Sequence, residues 1–509
     1  VRLLRSLIGL AGFLLLWEAA SRFVLDAGLI PPPSQVLVRC LTVFGEDRFA
    51  GDVASTVLSW LIAVSLAIVI AVPIGLTIGR IPFVRAATMP LIEFLRPLPG
   101  VALIPLITVL LGVGAQTKIT LATFAAVWPI LFNTSYAVAE VDRHMVETAR
   151  AFRTSRRRMI SAVVLPSAAP FILTGVRLSA SIALIAIVAT EFLFGGSIGV
   201  GQFVYVHGLS AGRMDTVLAV TVLAGLFGLL INASLAGVQN RWLGWPASSA
   251  SGDDSGSKRR WQLAVSCVAV AAILLAWQAI ASAVADPYFP PPSQIAGRAG
   301  DLWFSSAMLT GDILPSLGML LGGWLIASVL GIVLGVALGR AGTAMDYVGA
   351  LLAFARSVPP PLLVPVFMVM FSLGPQTELV TIVTGAIWPV LLNAVDGARS
   401  VDATKTETAR AFRLSKAAWI LGVVLPAAAP KIFAGLRLSL SIALILMVLS
   451  ELVGTSNGIG YQLNNSQGYS DLAGMWAWIV LIGALGYVLN RLLLVVQRRS
   501  LAWHGGQFA

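Results

Sequence analysis

Apolar residues run along this chain in blocks long enough to cross a bilayer, with short polar or basic breaks between them. Six blocks fall in the first half, at about 6–25, 54–78, 87–112, 117–139, 168–194 and 215–238, each near or above the ~20 residues a membrane helix needs. The second half repeats them about 260 residues later, so the pattern predicts an all-α polytopic membrane protein of about twelve transmembrane helices. An even number of spans per half makes both copies enter from the same side. They are therefore parallel six-helix repeats about an axis along the membrane normal.

The duplication extends to individual residues. Pro31-Pro32-Pro33-Ser34-Gln35 returns as Pro290-Pro291-Pro292-Ser293-Gln294, Trp17 as Trp277, Gly79-Arg80 as Gly339-Arg340 and Trp128-Pro129 as Trp388-Pro389. The predicted organisation is a first repeat over 1–245, a flexible linker over 246–258 rich in Ser, Gly and Asp, and a second repeat over 259–509.

Composition narrows the classes. Apolar residues make up 58% and charged residues 11%, against about 25% charged in soluble domains. A soluble globule and a disordered chain are both excluded. Two cysteines, Cys40 and Cys267, cannot staple a chain of 509 residues. The net charge of +11 does not indicate nucleic acid, because the basic residues sit in loops between apolar blocks. The inner segments of the second half hold Lys258, Arg259, Arg260, Arg340, Arg399, Lys405, Arg410, Arg413, Lys416, Arg498 and Arg499, while its outer loops hold little beyond Arg298. The first half is less sharply biased, with Arg39, Arg48 and Arg213 outside. This bias predicts both termini and the linker in the cytoplasm. The first block follows Arg2 and Arg5 as an export signal would, but it lacks a small-residue cleavage site and recurs mid-chain, so it reads as a retained span.

The chemistry lies in the long inner loop between the fourth and fifth spans of each half. Val146-Glu147-Thr148-Ala149-Arg150-Ala151-Phe152-Arg153-Thr154-Ser155 leads to Leu165-Pro166, and Thr406-Glu407-Thr408-Ala409-Arg410-Ala411-Phe412-Arg413-Leu414-Ser415 leads to Leu425-Pro426. Each reads as a short amphipathic helix suited to a groove on a soluble partner. Positive-inside charge alone would not require the same residue order and spacing in both halves.

These loops resemble the EAA loop of the permease subunits of bacterial ABC importers, the binding-protein-dependent inner-membrane components. Ile30 to Val36, Glu93-Phe94-Leu95-Arg96-Pro97-Leu98-Pro99, Gly112 to Lys118 and Trp128 to Asn133 are similar to the nitrate, sulfonate, taurine and bicarbonate branch. The resemblance implies the type I importer permease fold in an inner membrane. It also implies a periplasmic or lipid-anchored substrate-binding protein, and two copies of a cytosolic ATPase that carry ATP and Mg and grip the loop helices. Rocking of the two halves would then alternate access. Two permease subunits usually pair; here both look fused. One departure stands out: the family has Gly where this chain has Arg153 and Arg413.

No G-x-x-x-x-G-K-[ST] loop is present, so this chain is read as a transport subunit without cofactor and not as an enzyme. His144, His207 and His504 are dispersed, and no metal site is expected. Intramembrane ionisable residues are candidates for a translocation path. Arg96 and Arg356 precede proline clusters in the third spans, where two symmetry-related cations would suit a small anion; the structural alternative is that each reaches the cytosolic interface or ties a helix break to a neighbour. Glu191 and Glu451 end the fifth spans, where they either pair with basic residues or gate the outer mouth. Asn133 and Asn393 are expected to bond between helices. Two parallel repeats also fit an ion-gradient-driven secondary transporter, which leaves the paired loops unexplained.

Overall fold

The computed structural model describes residues 2–24, 28–193, 198–242 and 259–502; the linker expected over 246–258 lies outside them. The described residues form helices and no strand. In the first half these are α1 (Arg2–Phe23), α2 (Pro33–Thr42), α3 (Phe49–Arg80), α4 (Pro82–Leu95), α5 (Ile104–Leu111), α6 (Ala115–Ala139), α7 (Arg143–Ala151), α8 (Leu165–Leu193) and α9 (Met214–Trp242). The second half has α10 (Arg259–Val284), α11 (Pro292–Trp303), α12 (Leu314–Arg340), α13 (Ala344–Ala355), α14 (Val364–Phe371), α15 (Pro375–Arg399), α16 (Ala403–Ala411), α17 (Leu425–Gly454), α18 (Ile459–Gly468) and α19 (Leu472–Ser500).

Ten of the described helices are long and apolar enough to cross a membrane, and the third span of each half is a bent pair, which brings the total to twelve. α4 and the segment Gly100–Leu111 meet at 82°, and α13 and Pro360–Phe371 meet at 81°. The cause is local. Pro97 and Pro99, and Pro359, Pro360 and Pro361, lack the N–H that a continuing helix needs.

Lipid is as apolar as leucine, so helices associate here by close packing rather than by escape from water. α3 carries Ala63, Ala67, Ala71, Gly75 and Gly79 at every fourth position, and α12 carries Gly323, Ala327, Gly331, Gly335 and Gly339. These stripes lie against α6 and α15. A Cβ on Gly75 would stand 2.7 Å from the Thr134 Cβ, and one on Gly335 would stand 2.6 Å from the Ala394 Cβ. Tryptophan also works inside the bundle: Trp60 Nε1 donates to the Ala180 carbonyl at 2.8 Å, and Trp324, one turn beyond the matching position of the second half, donates to the Leu436 carbonyl at 3.3 Å.

Each first span packs against the other half. Arg5 pairs with Asp346 at 2.9 Å, Ser6 Oγ donates to the Asp346 carbonyl at 2.7 Å, and Gly9 lies on the Tyr347 backbone. The reciprocal contact is Ser266 Oγ to the Ala86 carbonyl at 2.7 Å. The Pro-Pro-Pro-Ser-Gln repeats fasten these outlying spans to their own halves. Glu18 accepts from the Ser34 N–H and hydroxyl at 3.0 and 2.9 Å, and Gln278 bonds Ser293 through both its amide groups at 3.0 Å.

Outside the spans, Glu46 sits between Arg39 and Arg213. Burial pushes its carboxyl up, but the two guanidiniums outweigh that and hold it below the usual carboxylate range.

Substituting a stripe glycine tests the packing account. Gly335→Leu should destabilise the purified chain by about 1–3 kcal/mol through overpacking, lowering its melting temperature in detergent. Gly322→Leu, where an added Cβ meets nothing within 4 Å, should leave the temperature unchanged.

Candidate functional site

The loop helices form at both expected places with the same caps. Asp142 accepts from the His144 N–H at 2.9 Å, and Asp402 accepts from the Thr404 N–H at 3.0 Å, which starts α7 and α16. Both end in a turn that requires a left-handed residue. Thr154 N–H returns to the Ala149 carbonyl at 3.0 Å and Leu414 N–H to the Ala409 carbonyl at 3.0 Å, with Arg153 and Arg413 each at φ 51°. These are the two positions at which the resemblance implies glycine. The backbone keeps the glycine conformation despite a Cβ, which costs about 1–2 kcal/mol. Ser155 and Ser415 then cap the next turn, and a single π turn (Ile160–Val164, Ile420–Val424) carries the chain into Leu165-Pro166 and Leu425-Pro426.

The helix surfaces are open. Glu147, Ala151, Arg153, Glu407, Ala411 and Arg413 are exposed, while Ala149 is half-buried and Ala409 is buried. Phe152 is 81% and Phe412 76% exposed, so each loop offers an apolar ring at a helix end. Leu165 and Pro166 are exposed where they open α8, and Leu425 and Pro426 are half-buried. The Gly-Arg repeats brace these loops, a role that the charge pattern did not suggest. Arg80 reaches Met159 Sδ at 3.8 Å, and the Arg340 guanidinium lies 5.5 Å from the Trp419 ring centroid. The two surfaces are not identical: Arg156-Arg157-Arg158 in the first half faces Lys416-Ala417-Ala418 in the second.

Arg96 and Arg356 lie at the bends of the third spans, each beside an arginine of the opposite half. Arg356 shares a cavity of about 300 Å³ with Arg177, lined also by Thr174, Ser181, Asn232 and Ser357. Arg177 donates to Gln239 at 2.8 Å and Asn232 at 3.1 Å, and its buried Nε has no partner. Arg96 lies 4.4 Å from the Phe132 ring centroid, within electrostatic reach of Arg437. Arg177 and Arg437 were missed in the sequence, although both stand well inside apolar spans. Asn133 and Asn393 bond the Pro129 and Pro389 carbonyls of their own helices, each at 2.8 Å, rather than a neighbouring helix.

Glu191 and Glu451 stand elsewhere, at the ends of α8 and α17 opposite the loop helices. Glu191 is fully buried and pairs with Lys118 at 2.7 Å. Thr56 Oγ1 donates to the same carboxylate at 2.9 Å, and the Gly201 N–H donates at 3.1 Å. Glu451 accepts from the Gly460 N–H at 2.7 Å and from Ser316 Oγ. The loops Gly199-Val200-Gly201 and Gly458-Ile459-Gly460 fold directly over these carboxylates. A Cβ on Gly201 or Gly460 would lie 2.8 Å from the Cβ of Glu191 or Glu451. Among the described residues no group of three His, Cys, Asp or Glu side chains is placed to hold a metal ion.

The sequence matches the family described as "Binding-protein-dependent transport system inner membrane component" twice, over residues 63–243 and 327–501. A Bacillus subtilis permease protein named for the transport of aliphatic sulfonates is 30% identical over 239 residues, 46% of this chain and 85% of its own length. The taurine transport system permease protein of Escherichia coli K12 is 26% identical over 283 residues, 54% of this chain and 98% of its own. A bicarbonate transport system permease protein of Synechocystis is 29% identical over 250 residues, 47% of this chain and 88% of its own. Each relative, nearly whole, corresponds to about half of this chain, consistent with a fused, duplicated permease.

The left-handed turn after α7 generates a prediction. Arg153→Gly should relieve the strain of about 1 kcal/mol and slow hydrogen exchange at the Arg153 and Thr154 amides about fivefold. Arg153→Val, β-branched at a positive φ, should accelerate it.

Proposed function

Because the chain belongs to the binding-protein-dependent transport system inner membrane component family, we propose that it forms the transmembrane pathway of an ATP-binding cassette importer. In this reading residues 1–245 and 259–509 are two permease repeats joined by a cytoplasmic linker over 246–258. Both termini face the cytoplasm, a periplasmic or lipid-anchored binding protein delivers the solute, and two copies of a cytosolic ATPase drive alternating access. ATP and Mg belong to those ATPase subunits.

The observation that carries this reading is the pair of loop helices with their exposed rings. A phenylalanine left open to water beside a glutamate and a left-handed arginine, twice, is an apolar anchor that a partner surface can cover. In the proposed assignment Glu147, Ala149, Ala151, Phe152 and Arg153 form one docking surface, braced by Leu165-Pro166, and Glu407, Ala409, Ala411, Phe412 and Arg413 form the other, braced by Leu425-Pro426. Capture from native membranes tests it. Wild type should bring down a Walker-type ATPase and a solute-binding protein, and the Glu147→Arg/Glu407→Arg chain should lose the ATPase alone. A folded wild type that captures no ATPase would overturn the reading.

For the solute we propose a small oxyanion or sulfonate-like compound. The support is the arginine at each third-span bend, which meets an arginine of the other half with no carboxylate lining the cavity between Arg177 and Arg356. The cation pairs thus lie where rocking halves would separate. The relatives named for sulfonates, taurine and bicarbonate agree with this. Arg356→Ala should reduce ATP-driven uptake by roughly 10–100-fold, the loss of one charge-assisted contact, while ATPase capture persists. Unchanged uptake in both Arg96→Ala and Arg356→Ala would assign these arginines to bracing the bends.

A further inference from the structure

The two halves keep the same buried carboxylate at the end opposite the loop helices but balance it differently. In the first half Lys118, fully buried, donates from Nζ to Glu191 at 2.7 Å, to the Ile198 carbonyl at 2.7 Å and to Ser55 Oγ at 2.9 Å. All three of its protons are used. Asp52 beside it accepts from the Gly199 N–H at 2.8 Å. The site is an oxygen cage around a cation that the chain itself supplies.

The second half retains the cage and reverses the charge of the tenant. Asp312 replaces Asp52 and accepts from the Gly458 N–H at 2.8 Å and from Gln462 at 3.1 Å. Glu451 replaces Glu191, and Ser316 replaces Thr56, taking the Ile459 N–H at 3.0 Å. At the position of Lys118 stands Glu378, only 5% exposed, whose Oε1 has no hydrogen-bond partner. Glu378 and Glu451 repel each other across this space, and no Lys, Arg or His forms an ion pair with either among the described residues.

We propose that Glu378 and Glu451 form a binding site for a monovalent metal cation of the sodium or potassium class, seated where the first half carries the Lys118 ammonium. Two independent observations point to a cation: the orphaned Oε1 of a buried carboxyl, and the cation held by the equivalent cage of the first repeat. The donors are hard oxygens, which suits an alkali cation. The first repeat places a single positive charge here, the Lys118 ammonium, which argues for a monovalent ion, and the third acid, Asp312, is already committed to Gly458 and Gln462. A proton held on the other oxygen of Glu378 would remove its charge but leave Oε1 an acceptor with no donor, and the comparison of salts with pH below separates a proton from a metal ion. The bound cation joins α15 to α17 as the Lys118–Glu191 pair joins α6 to α8. It makes the second half responsive to ions where the first half is permanently neutralised.

The test uses the purified full chain in detergent, without ATPase or binding protein, so it is separate from the transport reading. Melting temperature is measured at fixed pH and ionic strength in NaCl, KCl or choline chloride. The expected wild-type result is a saturable rise of about 2–4 °C in one or both metal salts over choline. Glu378→Lys, which builds in the cation of the first half, should abolish the response and melt at or above the cation-saturated wild type. Glu378→Gln should also lose the response. Equal melting of the wild type in all three salts, or a response that Glu378→Lys retains, overturns the proposal. A wild type sensitive to pH alone also overturns it and leaves a protonated carboxyl in its place. Should Glu378→Lys fail to fold, equilibrium binding of radioactive sodium and rubidium ions to the wild type decides. A saturable equivalent per chain supports the site, and none for either ion removes it.

Discussion

An unpaired polar group is costly in hydrocarbon, and most of this architecture follows from the demand to keep such groups few. Backbone groups meet it by becoming helix. Side chains meet it by bonding at short range, as Lys118 does with three oxygens around Glu191. Where the helix is broken, at Pro97–Pro99 and Pro359–Pro361, the freed groups lie against the opposite half instead of lipid. Breaks and buried charges are therefore confined to the interior of the bundle, and the outermost helices, α1 and α10, carry almost none.

The same demand explains why small residues recur so regularly on α3 and α12. With no gain from hiding leucine from lipid, helix contacts must come from proximity, and only Gly and Ala let the backbones of α3 and α6 approach closely. Each repeat is thereby a tight unit. The exchange of first spans then couples the units: α1 grips Asp346 and Tyr347 of the second half, and α10 reaches Ala86 of the first. The third-span bends, with their arginines, lie in the seam between the halves.

Duplication has preserved geometry more strictly than chemistry. The left-handed residue after each loop helix is arginine twice, at the same φ, although glycine would reach it without strain. The cage around Glu191 and Glu451 keeps its acids, its hydroxyl and its Gly-x-Gly loop, yet its central residue is a base in one half and an acid in the other. Local backbone form tolerates such exchanges because hydrogen bonds to N–H groups define it. The charge balance is left to whatever fills the centre.

The span count, the parallel repeat, the broken third spans and the two loop helices were legible in the residue order, because each is written in local periodicity, proline placement or an ordered motif such as Glu147 to Arg153. That order did not reveal which residues meet across the bundle. Lys118 and Glu378 occupy matching positions, but their opposed roles emerge only when α6 and α15 bring them to Glu191 and Glu451. Likewise Arg177, an arginine inside an apolar span, gains its setting only when the other half places Arg356 across the same cavity. The exchange of first spans was equally hidden, since an apolar helix carries no mark of the neighbour it will touch. Those facts depend on contacts between residues far apart in the chain. In lipid, shape and hydrogen bonding rather than hydrophobicity select partners, so these contacts are settled by the packed bundle and not by local pattern.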